Sequence, residues 1–123
     1  MANFVIWMDQ DHAKIFELHP NKIEAHNMKR HEIRHHSGFE KEQNNHKNGE
    51  NFFHLIAKSL SDAHQILLLG PGLAKAHFKA HLDQHHHSDL AKKVVAVETV
   101  DHPTDPEIVA SAKKYFRTHL RFE

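Results

Sequence analysis

A chain of 123 residues with 39% hydrophobic content is one domain's worth, and it buries roughly two-thirds of its extended surface, enough to fold without staples. It has no cysteine, which excludes a disulfide framework, a thiolate zinc finger and a cysteine nucleophile. Sixteen Lys and Arg are balanced by sixteen Asp and Glu, which excludes a polycation holding DNA by net charge alone.

Phe4 to Met8 (FVIWM) is an almost wholly apolar run, followed by Asp9-Gln10-Asp11-His12 and a second run from Ala13 to Leu18. Two apolar stretches around an Asp-rich turn predict a β-hairpin. His19-Pro20-Asn21 ends the second strand, and the alternation over Lys22 to Met28 predicts a third, so the N-terminal quarter reads as a meander. Residues 29–50 carry almost no apolar periodicity and read as a long polar loop, with frayed strand or helix at its edges.

Beyond it the pattern becomes regular. Phe52, Phe53, Leu55, Ile56 and Leu60 stand at helical spacing within Asn51 to Leu60. Gln65 to Leu69 is a continuous apolar run of the kind found in doubly covered strands, Gly70-Pro71-Gly72 turns the chain, and a helix is expected from about Leu73, with Ala74, Phe78 and Leu82 on one stripe. Lys93 to Val97 (KVVAV) reads as another buried strand. Thr104 stands three residues before Glu107 and just ahead of Pro106, a capping-box signal for a last helix over about Pro106 to His119. The expected architecture is a single α/β domain over residues 1–123. It has a mixed sheet, antiparallel in its N-terminal meander and parallel where C-terminal βαβα units pack helices on it.

No apolar run approaches the roughly 20 residues of a membrane span, and Met1-Ala2-Asn3 opens no signal peptide, so a cytoplasmic address is expected. Sixteen histidines are several times the usual share; most are expected to be surface polar residues that gain charge on mild acidification.

Four constellations bear chemistry. His31-Glu32-Ile33-Arg34-His35 matches H-E-x-x-H, which chelates zinc only when a helix stacks both imidazoles; here it enters a polar loop with no third ligand at a recognisable spacing. His77, His81 and His85 repeat by four, either as a metal-binding array or as a solvated helix face. Gly70-Pro71-Gly72 before a helix, with Lys75, either offers free N–H groups and a charge to phosphate or merely lets strand and helix pack closely. The fourth is the basic content of residues 29–50, suited to phosphate and 2′-hydroxyl contacts on RNA although Glu32, Glu40, Glu42 and Glu50 offset it.

The run Ile66 to Lys75 (ILLLGPGLAK) with Phe78, and the following Leu90 to Val97 (LAKKVVAV), resemble the middle domain of archaeal and eukaryotic class I peptide release factors and their Pelota relatives. Val5-Ile6-Trp7-Met8-Asp9 and the Glu98 to Asp105 stretch are similar to short bacterial single-domain homologues called translational machinery proteins. In release factors the equivalent of the 29–50 loop bears Gly-Gly-Gln, the motif of peptidyl-tRNA hydrolysis; here that loop has only Gly38 in His36-Ser37-Gly38-Phe39, and Gln43 has no glycine pair before it. The resemblance implies an RNA-binding domain directed to the ribosome or tRNA, of the termination, rescue or hibernation type. The missing Gly-Gly-Gln moves the chain toward the non-catalytic, Pelota-like branch, so no hydrolytic activity is expected; no cofactor is expected, nor, from the charge balance and the short apolar runs, DNA or membrane as a partner. The candidate RNA contacts are Lys29, Arg30, Arg34, His35, His36, Gly38, Lys41 and Lys47 of the loop, with Gly70, Gly72 and Lys75 of the turn. The competing expectation is a histidine-based metal-dependent hydrolase or metal-binding protein.

Overall fold

The computed structural model describes residues 2–30, 45–84 and 88–120. The three N-terminal strands are β1 (Ala2–Met8), β2 (His12–Leu18) and β3 (Ile23–Lys29), and they pair antiparallel as a meander. The first turn is built by Asp9, whose Oδ1 accepts hydrogen bonds from the N–H groups of Asp11 and His12, both at 2.8 Å. Asp and Asn favour turns because their short side chains satisfy nearby backbone donors in this way.

Then follow α1 (Asn45–Ser59), β4 (Ala63–Gly70), α2 (Ala74–Gln84), a short α3 (Ser88–Lys93), β5 (Val94–Thr99) and α4 (Asp105–Leu120). The sheet order is β3-β2-β1-β4-β5, with β1 parallel to β4 and β4 parallel to β5. Side chains alternate across it. Phe4, Ile6, Met8, Ile15, Ile66 and Leu68 pack with Phe52, Ile56, Phe78, Leu82 and Leu90 of α1–α3 and with Leu60 just after α1. Val5, Trp7, Phe16, Leu67 and Leu69 pack with Ile108, Ala112 and Phe116 of α4 on the other face. Strands β1 and β4 are therefore covered on both sides, which is why FVIWM and QILLL show no polar alternation. Each such large apolar side chain contributes roughly 1.5–3 kcal/mol by leaving water. Among the described residues no helix is long and apolar enough to cross a membrane.

Four expectations need correction. The helix expected from Asn51 begins at Asn45, so Lys47 belongs to α1 and not to a loop; Lys29, likewise, is the last residue of β3. The strand over KVVAV starts at Val94 and lies at the sheet's edge, where Val95 and Val97 stay 37% and 40% exposed. A strand with one neighbour keeps an open flank whatever its composition. Finally, α2 does not turn a solvated histidine face outward: His77 is exposed, but His81 is buried against Phe53 with the rings 5.5 Å apart.

The capping box forms as the sequence predicts. Glu107 Oε1 accepts hydrogen bonds from the Thr104 N–H at 2.8 Å and hydroxyl at 2.9 Å, while Thr104 Oγ1 accepts from the Glu107 N–H at 3.3 Å. These bonds, the backbone one foremost, hold the Glu107 carboxyl below its ordinary value of 4.5. A carboxylate favoured in the folded state stabilises it fully above the unfolded value, and the contribution disappears as pH falls through the lower folded one. Thr104→Ala should cost about 1 kcal/mol at neutral pH. Urea melts at decreasing pH should show the difference between wild type and variant shrinking below about pH 4.

Candidate functional site

The sequence order of the strands reverses between β1 and β4, because the chain grows outward through β2 and β3 on one side and through β4 and β5 on the other. In open α/β sheets ligands lie at such a switch point, beyond the carboxyl ends of the strands. Here that edge gathers the ends of β1, β3, β4 and β5 with the start of β2, since Met8 pairs with Ala13, His12 with Lys29, Trp7 with Leu69 and Gly70 with Thr99.

Lys29 is exposed on this edge. Arg30 continues past β3, its N–H donating to the Asp11 carbonyl at 2.8 Å and its Nη1 to the Gln10 carbonyl at 3.4 Å. Gly70 ends β4 pressed against β1: a Cβ there would stand 2.1 Å from the Met8 carbonyl oxygen. Gly70 thus serves a close approach of β4 to β1, which is neither the phosphate cradle nor the strand-to-helix packing expected of this turn. Gly72 has open space around the position of a Cβ. Lys75 departs from expectation, because it is 6% exposed and its Nζ donates to the Gly72 carbonyl. A lysine so placed spends its charge fixing the turn and does not present it to a ligand. Arg34, His35, His36, Gly38 and Lys41 lie outside the described residues, as does the His31–His35 pattern.

The same edge contains a feature that the spacing of residues did not disclose. Register places Trp7, Lys14 and Asn27 side by side across β1, β2 and β3, with His12 and Lys29 on the next rung of that face. Together with His102 ahead of α4 and Asp105 at its first position they line a cavity of about 500 Å³. Trp7 Nε1 donates to the Asp101 carbonyl at 2.8 Å, and the His102 ring packs on the indole at 5.1 Å. Lys14 Nζ lies 5.9 Å from the centre of the indole ring and 2.9 Å from Asp105 Oδ1. Asp9 also lines the cavity, but one carboxylate oxygen is committed to the turn amides. Lys29 has no carboxylate partner among the described residues, which leaves it as the cation best placed to meet an anion. The readable signal was the two-residue alternation of the strands, which could be used only once the register was known.

Metal-ligand spacing occurs elsewhere. Glu17, Glu24 and His26 bring donor atoms within 4.8 Å of one another near the opposite end of β2 and β3. His19 Nε2 already sits 2.5 Å from Glu17, and Lys22 Nζ 3.2 Å from Glu24, whose carboxyl is held below its ordinary range chiefly by the Lys22 hydrogen bond and charge. Of the array at His77, His81 and His85, the first is exposed, the second buried and the third outside the described residues.

No protein-family model and no curated protein sequence matches this chain. Solved structures do. Pelota from Archaeoglobus fulgidus superposes with a TM-score of 0.64 at 18% identity, over 92% of this chain and 31% of that one. Thermoplasma acidophilum Pelota gives 0.61 at 24% identity over 90% of this chain and 31% of that one. The archaeal translation termination factor aRF1 gives 0.53 at 22% identity, over 98% of this chain and 41% of that one. The chain thus spans less than half the length of these structures. What it shares with them is a fold, the one that the resemblance to release-factor middle domains implied.

Proposed function

We propose that this chain is an RNA-binding domain of the translation machinery that docks on the ribosome or on tRNA through the carboxyl edge of its sheet and cleaves no bond. The observation that carries this reading is the coincidence of two things. The fold is shared with Pelota and with a translation termination factor. The basic residues Lys29 and Arg30 stand on the same edge as the Gly70–Gly72 turn. Lys29 meets phosphate as a point charge, and Arg30 starts the basic stretch that continues in sequence with Arg34, Lys41 and Lys47. Lys75 contributes indirectly, by holding the turn through Gly72. The sequence contains no Gly-Gly-Gln, so no residue is assigned to hydrolysis.

Co-sedimentation with purified ribosomes tests the reading. An interface of about four phosphates releases their counterions, so affinity should fall by roughly 50-fold between 50 and 200 mM salt. Lys29→Glu with Arg30→Glu should weaken binding by at least tenfold at the lower salt, at the rate of about 1 kcal/mol or more per charged contact. Absence of pelleting at the lower salt would overturn the proposal.

A further inference from the structure

We propose that the cavity between β1–β3 and the start of α4 is a pocket for one nucleoside monophosphate unit, an inference that deepens the RNA-binding reading by naming what the edge grips. Other cavities on the described residues differ from it in chemistry. One is walled by Phe16, Ile23, Ala25, Pro106 and Val109, and another by Leu67, Leu69, Val100 and Tyr115. Each of these sets a ring beside a lysine, Lys113 or Lys114, but neither adds a side-chain amide. The cavity at β1–β3 joins all three, with Lys29, Asn27 and His102 around about 500 Å³, a volume within the range of small-molecule sites.

Each group has a distinct task. Lys29, unpaired among the described residues, takes the phosphate. Asn27 offers both a donor and an acceptor, the pairing that a base edge presents. The indole face of Trp7 is already covered by Lys14, so the ring left for stacking is His102. Its side chain is 67% exposed, yet it is held at two points: packed on Trp7 at 5.1 Å and hydrogen-bonded through Nδ1 to Asp101 Oδ1 at 2.9 Å. An exposed ring with a fixed orientation can receive a base at little entropic cost. Lys14, paired with Asp105 at 2.9 Å, ties the floor of the pocket to the first residue of α4 and keeps its two walls together.

The chain carries its own probe, because Trp7 is its single tryptophan. Its indole N–H donates to the Asp101 carbonyl, in the segment that bears His102. The indole signal in a ¹H–¹⁵N spectrum of the full chain should therefore move saturably as AMP, GMP, CMP or UMP is added. Lys29→Ala should weaken nucleotide binding about tenfold, the loss of one charge-assisted contact. His102→Ala should weaken it to a similar extent, while leaving the weaker response to ribose 5-phosphate, which has no base, unchanged. Both positions are exposed, so both variants keep the fold. A short single-stranded oligonucleotide titrated in parallel separates the sources: tighter binding than the mononucleotides assigns the pocket to RNA, and weaker binding assigns it to a free nucleotide. An indole signal unmoved by all four nucleotides at about 10 mM, well above millimolar affinity, overturns the pocket. Equal affinity for nucleotides and ribose 5-phosphate overturns its stacking half. Neither result touches ribosome pelleting, whose failure with the pocket intact would instead remove the RNA-docking reading.

Discussion

Gly70→Ala is expected to destabilise the protein by about 3 kcal/mol, at the upper end of the usual cost of overpacking. The added Cβ would stand 2.1 Å from the Met8 carbonyl oxygen and 3.3 Å from its carbon. Neither atom can yield cheaply. Met8 is fully buried, it pairs with Ala13 of β2, and the neighbouring Trp7 is paired with Leu69 of β4. Gly70 is fixed from its other side as well, its carbonyl accepting the Val100 N–H at 3.0 Å. Relief therefore requires β1 and β4 to separate at the end that carries the candidate site. Gly72→Ala is the matched control, with nothing within 4 Å of the added methyl. There the smaller conformational freedom of the unfolded chain should leave stability unchanged or raise it by under about 1 kcal/mol. Urea denaturation of the two variants reads the difference directly. Equal midpoints would mean that β4 is not packed against β1 at Gly70 as described.

The meander, the doubly covered strand β4 and the capped α4 were legible because each leaves a local mark: a turn residue, an unbroken apolar run, a Thr and a Glu three apart. What escaped the sequence is positional. KVVAV has the composition of a central strand, and nothing within it says that it will have a neighbour on one side only. Asn45 to Glu50 shows no apolar stripe, yet it is helical. Phe52 and Ile56 anchor the later turns in the core, and adding residues to an existing helix costs far less than nucleating one. Lys75 was open to a better reading, since it precedes Phe78 by three and Leu82 by seven and so shares the buried stripe. His81, three after Phe78, flanks the same stripe. The edge site was half visible. Gly70, Gly72 and the basic residues at 29 and 30 could be named, but their adjacency follows from the order β3-β2-β1-β4. The cavity lined by Trp7, Lys14 and Asn27 needed the register itself.

Phe78→Ala should be the most damaging single truncation in α2, costing about 4 kcal/mol, within the range for buried phenylalanines. Phe78 is fully buried at the centre of the larger core, edge-on to Phe53 of α1 with ring centres 5.6 Å apart. Removing it leaves a cavity and also forfeits an aromatic pair worth roughly 1 kcal/mol. Set against a typical domain stability of 5–15 kcal/mol, the loss should lower the melting temperature by more than about 10 °C. His77→Ala, one residue earlier and exposed, should stay within about 0.5 kcal/mol of wild type. The effect has a functional side because α2 begins at Ala74, two residues after Gly72, and Lys75 in its first turn holds the Gly72 carbonyl. A helix that loses its anchor in the core loosens the turn at its own N-terminus. Phe78→Ala should therefore weaken ribosome binding under conditions where calorimetry still shows a folded protein, whereas a substitution of equal cost near the far end of α4, such as Phe116→Ala, should weaken it less. Phe116 is buried on the opposite face of the sheet, away from α2. Ribosome affinities that track stability alone, identical for the two variants, would separate the Gly70–Gly72 turn from the RNA contact and leave that contact to Lys29 and Arg30.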